Sequence, residues 1–425
     1  MDNPALAPHL LDMARISARP APPAGPDRTP EVFDAIVAGG GLTGTALALA
    51  LGRGGLRVAL VEPAGTGRRD DGRAYALALA SVRMLRALGA WPAAQAEPIQ
   101  RILVADGRPG EAPSPLHLAF DAGEIEEGPM GHMIEDAPLR EAVETALAGL
   151  PEVRRIAGAV VSHRAGPAGL SARLGDGRML EARVLVGADG RRSPTARQAG
   201  IGRIERPYGQ TAVTASLVHE RPHGGTAHQL FLPGGPVAVL PLPGNRSSLV
   251  WSERSARAAT LMRMEEAEFL EALRAVLGGF LGRLGPAGPR SAFPLGLSLA
   301  EAFTAPRVAL AGDAARAVHP VAGQGLNAGL RDVAALAEVL TEAAARGEDI
   351  GAEAVLGRYA RWRRFDSALL AVATDGFNRL FSNDWGPLRL VRDLGMAAVG
   401  RMGPLRRAFI REAAGLTGEL PRLMR

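Results

Sequence analysis

Three glycine-centred patterns hold the residues whose types and spacing can do chemistry. The first is Gly39-Gly40-Gly41-Leu42-Thr43-Gly44, a G-x-G-x-x-G run. Its physical use is to bring backbone N–H groups close to a pyrophosphate. Gly39 permits a tight turn, Gly41 removes a side chain that would block phosphate, and Gly44 lets helix and strand pack closely. Leu42 and Thr43 open the helix whose positive end then meets the anion. Glu62 lies 23 residues after Gly39. A carboxylate there accepts both hydroxyls of an adenosine ribose and disfavours a 2′-phosphate, so NADP does not suit this site. The pattern does not separate FAD from NAD.

The second pattern is Gly187-Ala188-Asp189-Gly190-Arg191-Arg192-Ser193, at the end of the apolar run Val184–Val186. By itself it also describes an Asp-Gly turn closing a strand. The third is Gly312-Asp313-Ala314-Ala315-Arg316, followed by His319-Pro320-Val321-Ala322-Gly323-Gln324-Gly325-Leu326-Asn327. Asp313 is placed to accept hydrogen bonds from polyol hydroxyls. Gly323 and Gly325 let backbone N–H groups approach a flat ring edge. A helix start at Leu326 favours negative charge on that ring. His319 taken alone reads better as a satisfied surface or core histidine.

These patterns need elements to position them. A strand over 33–38, a helix over Leu42–Arg53 and a strand over Arg57–Glu62 form a βαβ start of the dinucleotide-binding kind. A helix is expected over Pro138–Leu150, a three-stranded meander over 156–188, and strands over 208–253 with a turn at 233–236. A further helix is expected over 264–284, a buried strand over Arg307–Ala311, and a long helix from Leu326 on the spacing of Leu330, Val333, Leu336, Ala337 and Leu340. Residues 1–30, rich in Pro and Ala, read as a poorly ordered extension, and no stretch reads as a transmembrane helix.

Composition narrows the mechanism. The 425 residues include no cysteine and no lysine. Disulfides, thiolate nucleophiles, Cys-ligated metals and Schiff-base lysines are therefore excluded, and metal ligation is not expected. If the chain is an enzyme, a bound cofactor must carry the hard chemistry. The net charge of +5 is local: residues 386–425 hold eight arginines against three acids. No basic stripe with groove-reading elements suggests nucleic acid. A basic, partly apolar end suits a membrane surface or a partner subunit.

Taken together and in order, the three patterns resemble the FAD-dependent aromatic hydroxylases of the p-hydroxybenzoate hydroxylase type. The narrower resemblance is to the ubiquinone-biosynthesis hydroxylases, the UbiH-like branch. It rests on Asp71-Gly72-Arg73-Ala74-Tyr75-Ala76-Leu77, Gly234-Gly235-Pro236, Val250-Trp251-Ser252, Phe293-Pro294-Leu295, the His319–Asn327 run, Gly329-Leu330-Arg331-Asp332-Val333 and Leu420-Pro421-Arg422. It covers about residues 33–425. Two departures stand out: Arg316 occupies a position where the family often has His, and Ala78 one where it often has Ser.

The resemblance implies an α/β (α+β mixed) fold: a Rossmann-like FAD-binding domain, an inserted β-sheet substrate domain and a C-terminal helical segment. The implied division is 31–97, 136–202 and 301–350 for FAD, 98–135 and 203–300 for substrate, and 351–425 for the helical part. It also implies FAD as cofactor with O₂ as co-substrate. The donor of electrons stays open between NAD(P)H and a protein. Gly39, Gly41, Leu42, Thr43, Gly44, Glu62, Arg73, Arg140, Asp189, Asp313, Gly323, Gln324, Gly325, Leu326 and Asn327 are the implied cofactor-binding residues, with His319 and Pro320 on the flavin-facing loop. No protein catalytic residue is needed, because a flavin C4a-hydroperoxide would oxygenate the ring of a polyprenylated phenol. Implied partners are that phenol, a membrane surface and a quinone-biosynthesis complex. The implied location is cytoplasmic, peripheral on the inner membrane. Hydroxylation of a small soluble aromatic, prenyl reduction and a non-catalytic scaffold role are the competing readings.

Overall fold

The computed structural model describes residues 31–63, 72–107, 118–317, 324–364 and 402–425. In chain order, β1 (Glu31–Ala38), α1 (Leu42–Arg53) and β2 (Val58–Glu62) lead to β3 (Ala74–Ala78) and α2 (Leu79–Ala87). β4 (Glu97–Ile99), β5 (Arg101–Asp106), β6 (Leu118–Asp121) and β7 (Gly131–Glu135) precede α3 (Asp136–Ala148). β8 (Val153–Ala157), β9 (Val160–Ala165), β10 (Leu170–Leu174) and β11 (Met179–Gly187) run into α4 (Pro194–Gln198). Four strands follow, β12 (Arg203–His219), β13 (Thr226–Leu232), β14 (Gly235–Leu242) and β15 (Arg246–Arg254), then α5 (Ser255–Arg263) and α6 (Glu266–Leu277). β16 (Leu284–Pro286), β17 (Ser291–Ala300), β18 (Thr304–Ala305), β19 (Val308–Leu310) and β20 (Arg316–Ala317) come next. Helices α7 (Gln324–Ala345), α8 (353–364) and α9 (Gly403–Ala413) complete the described chain.

The first sheet has β19, β11, β1 and β2 side by side and parallel, with β8 parallel beyond β2. Such strands must be apolar on both faces. Ala35, Val37 and Leu60 pack with Leu47, Leu51 and Val333 of α1 and α7, while Ile36 and Ala59 pack with Leu170 and Ala172 of the β9–β10 meander. The crossovers leave β1 in opposite directions, to β2 on one side and β11 on the other. The ligand crevice of an open parallel sheet lies at such a switch, outside the carboxyl ends of the strands.

The second sheet runs β20-β17-β12-β15-β14-β13-β5-β6, with β16 on β12. Its strands alternate. Val213, Ala215, Leu217, Val239, Leu249 and Trp251 bury against α5 and α6, so Ala212, Thr214, Ser216, Leu240 and Ser248 take the opposite face. A third sheet, β3-β7-β4, lies between the larger two, so segment 98–135 feeds two sheets rather than one. Leu240 and Leu242 of β14 share a cluster with Ala74 and Ala76 of β3, and Arg246 holds Glu135 through two hydrogen bonds of 2.7 and 3.1 Å.

One helix differs from expectation. The stretch 264–284 is not continuous: α6 stops at Leu277 because Gly278 takes φ +74, and Met264 in extended conformation separates it from α5. Among the described residues, no helix is long and apolar enough to cross a membrane.

Candidate functional site

The three glycine patterns meet at the carboxyl ends of the parallel strands. Ala38, Gly187 and Leu310 stand in register across β1, β11 and β19. Gly39 turns away from β1 at φ +112, and a Cβ there would lie 2.4 Å from the Ala188 carbonyl oxygen. Only glycine fits. A Cβ on Gly44 would lie 1.9 Å from the Gly39 carbonyl oxygen, so helix and strand touch at this point. Thr43 joins the first pattern to the third, since a Cβ on Gly312 would lie 2.9 Å from its side chain.

This corner suits a dinucleotide. Gly41 is the N-cap of α1, no side chain caps the helix, and no acidic residue stands in its first turn. Its opening N–H groups are therefore available to an anion. Glu62 leans over the turn: a Cβ on Gly40 would lie 1.8 Å from Glu62 Oε2. Arg155 Nη2 holds the other carboxylate oxygen at 3.4 Å. A carboxylate thus stands beside a phosphate-sized cradle, where a ribose needs it.

Asp313 faces the same crevice. Its side chain is solvent-exposed, yet burial raises its carboxyl above the usual range, opposed by Arg191, Arg316, Arg203 and Arg73. Both hold for a side chain on the floor of a cleft, reached by solvent but walled by protein. Arg203 fixes this turn by donating to the Asp313 carbonyl at 3.2 Å and to the Ala314 carbonyl, and burial lowers its own pKa.

On the far side of the crevice Arg73 stacks over the Phe293 ring, 4.4 Å from its centroid. The Arg73 carbonyl accepts from Asp136 N at 2.9 Å. Arg140 grips the Asp136 carboxylate with bonds of 2.8–3.1 Å, and Tyr75 donates its hydroxyl to the same group at 2.8 Å. Burial, with the Asp136 charge, pushes the Tyr75 hydroxyl pKa up. Arg73 and Arg140 therefore come together although 67 residues separate them.

Several residues expected near the ligand make structural ties. The Asp189 carboxylate accepts from Ser193 Oγ and from Thr195 N at 2.9 Å, so it caps α4, while its Cα backs onto Gly39. Its backbone, at 3.0 Å from a Cβ placed on Gly39, backs the first glycine turn. Asn327 accepts from Ala78 N at 2.9 Å and Ser81 Oγ at 2.8 Å and donates to the Ala76 carbonyl at 2.8 Å. Its amide locks the start of α7 to β3. Arg316 turns inward: buried, it donates to Asp332 at 3.0 Å and to the Ala328 carbonyl at 2.8 Å. Asp332 also accepts from Arg363 at 2.8 Å and from Gly312 N at 3.0 Å, so this buried ion cluster holds the Gly312–Asp313 turn from behind.

Gln324, Gly325 and Leu326 form the first turn of α7, and among the described residues nothing lies within 4 Å of a Cβ placed on Gly325. Asp71, His319, Pro320 and Gly323 fall outside the described residues. Sequence reading missed Arg191, Arg203, Tyr75 and the stacking role of Phe293. Arg191 adjoins the second pattern and Tyr75 lies in the Asp71–Leu77 run, so both had a local signal. Arg203 had none.

The family model described as an FAD binding domain matches residues 32–366. The chain belongs to this family of flavoproteins. Ubiquinone hydroxylase UbiL of Rhodospirillum rubrum is 46% identical over 405 residues, covering 93% of each chain. The 3-demethoxyubiquinol 3-hydroxylase of Escherichia coli is 36% identical, covering 89% of this chain and 98% of that protein. Ubiquinone biosynthesis monooxygenase COQ6 of Rattus norvegicus is 33% identical, covering 89% and 90%. The crystal structure of p-nitrophenol 4-monooxygenase PnpA from Pseudomonas putida shares the fold, with a TM-score of 0.76 at 21% identity over 92% of this chain and 99% of that one. This flavoprotein is an FAD-dependent monooxygenase of the UbiH-like hydroxylase branch.

Proposed function

We propose that this flavoprotein hydroxylates the aromatic ring of a polyprenylated phenol in ubiquinone biosynthesis. The observation that carries the reading is the pairing of two walls across one crevice. The glycine corner and Glu62 suit FAD, and a mostly apolar sheet face opposite suits a ring with an apolar tail. The names of the relatives, matched over nearly the whole chain, support the same substrate class.

When bound, FAD supplies the activation of O₂. The chain's own residues bind, orient and exclude water. The α1 N-terminus receives the pyrophosphate, Glu62 accepts the ribose hydroxyls and Asp313 accepts polyol hydroxyls. Arg73, fixed by Phe293 and the Asp136 knot, stands between cofactor and substrate walls. Holding the ring against the cofactor in a dry site converts a bimolecular encounter into a positioned one.

The lipid-tailed substrate is met at a membrane surface. Met402, Leu405 and Phe409, spaced along one side of α9, are 55%, 37% and 40% exposed, with exposed Arg407 on the opposite side. Arg406 and Arg411 pair with Glu124 at 2.6 Å and Glu127 at 2.5 Å, so they anchor the helix to the β6–β7 connection. Docking then depends on apolar insertion more than on arginine charge. Phe409→Asp should abolish co-sedimentation with phosphatidylcholine vesicles, and unchanged binding rejects this surface in favour of a protein complex.

For the reaction, the purified holoprotein should convert a prenylphenol to its ring-hydroxylated product with consumption of O₂. Release of peroxide alone from every prenylphenol supplied overturns the reading.

A further inference from the structure

The sheet face opposite the glycine corner carries a cluster of hydroxyls. Thr214 and Ser216 are alternate residues of β12, on the face turned away from α5 and α6. Register puts Ser216 directly opposite Ser248 on β15, and Thr214 directly opposite Ser291 on β17. Directly opposed side chains have Cβ atoms about 4.5–5.5 Å apart, so the four form one patch across three strands. Around it the same face carries Ala212, Leu240, Val250 and Phe293, with Ser252 opposite Ala212 and Arg246 two residues from Ser248 at its margins.

The patch borders the crevice. A Cβ on Gly72 would lie 3.9 Å from Ser216 Oγ, and Phe293, next to Ser291 on the same face, carries Arg73. Thr214 Oγ1 is buried and has no hydrogen-bond partner among the described residues. A hydroxyl buried without a partner costs about 1–3 kcal/mol, a cost that a ligand oxygen removes on binding.

We propose that Thr214, flanked by Ser216, Ser248 and Ser291, is the specificity-determining contact that hydrogen-bonds a ring oxygen of the phenolic substrate. It thereby sets which edge of the ring meets the cofactor. This rests on the ring-hydroxylation reading above. An apolar face with a small cluster of hydroxyls selects a substrate whose ring bears oxygen and whose remainder is hydrocarbon. A site built to bond a substrate hydroxyl rejects the analogue lacking it, because its own polar group is then left unpaired.

The test is Thr214→Val, which keeps the shape and removes the hydroxyl, with Thr214→Ser as the conservative variant. Substrate binding is read from the change in flavin absorbance as a prenylphenol is titrated into each holoprotein, and coupling from product formed per O₂ consumed. Thermal melting and bound FAD show that each variant is folded and loaded; should Thr214→Val not fold, Ser216→Ala takes its place. The expected result is about tenfold weaker binding and poorer coupling in Thr214→Val, with recovery in Thr214→Ser. A prenylbenzene lacking the ring oxygen should bind wild type and Thr214→Val alike. Unchanged phenol affinity in Thr214→Val, or discrimination against the deoxy analogue that survives in it, overturns the assignment. Failure of the wild type to form product is a failure of the function reading, and the binding comparison still decides the role of Thr214.

Discussion

The two walls of the crevice are made in different ways. On the parallel sheet the groups facing the crevice are mostly backbone. Gly39 and Gly44 leave no room for a Cβ, and α1 opens without a side-chain cap. On the antiparallel sheet the facing groups are side chains, with Phe293 under Arg73 and the hydroxyls of Thr214 and Ser216 set in an apolar face. A pyrophosphate demands close N–H approach, which side chains only obstruct. A substituted ring is told from others by where its polar atoms fall, which side chains must report. The cofactor wall is therefore expected to fail all at once when disturbed, and the substrate wall by degrees.

The largest expected effect lies behind the cofactor wall. Asp332 is fully buried among Arg316, Arg363 and the Gly312 amide. Asp332→Ala leaves buried guanidinium charge uncompensated and should cost about 3–5 kcal/mol of stability by denaturant unfolding. Loss of FAD should accompany it. A variant that unfolds normally and stays yellow would show that the Gly312–Asp313 turn stands without this cluster.

Next comes Glu62→Ala, which removes the carboxylate over the glycine turn but no packing from the sheet. FAD affinity should fall about ten- to hundredfold, as for loss of charge-assisted hydrogen bonds, with little change in the apoprotein's melting temperature. Equal FAD titrations of both proteins would break the assignment. Phe293→Leu tests the opposite wall. It removes the ring under Arg73, an interaction worth about 1 kcal/mol, so substrate binding should weaken about fivefold. FAD affinity should hold if the walls are independent, and an equal loss of both would show that Arg73 couples them.

The smallest effect is on pH. Burial, with Arg86 beside it, lowers His132 from 6.5 to about 4, and burial, with His223 beside it, lowers His228 to about 4. Both belong to the antiparallel sheets. The unfolded chain takes these protons near pH 6.5 and the folded chain only near 4, so stability is full at neutral pH and is lost as pH falls through that window. Melting temperature should drop on the order of 2 °C per histidine between pH 7 and pH 5, and His228→Gln should flatten part of that slope. A slope unchanged in that variant would remove His228 from the account.

Much of the cofactor wall is legible in the residues alone. Glycines demanded by backbone contact, an acid at the end of β2 and a strand ahead of each turn are local patterns, and local sterics enforce them. The apolar periodicity of α1 and α7 is legible for the same reason. The hydrogen bonds of individual side chains are less legible. Asp189 and Asn327 sit in ligand-like motifs, yet their polar groups close a helix and tie α7 to β3. Motif position shows that a residue is needed near a site, not which way its hydrogen bonds point.

The sequence by itself determined a dinucleotide-binding corner, the order of the three patterns and the absence of cysteine and lysine chemistry, because each follows from residue type or from contacts close along the chain. Only the tertiary structure decided that Arg73 shares a knot with Arg140, that Arg316 is buried on Asp332, and that Thr214 and Ser216 meet Ser291 and Ser248. Those meetings depend on strand register and on which face each sheet buries. Register is set by the packing of the whole sheet, and no window of sequence contains it.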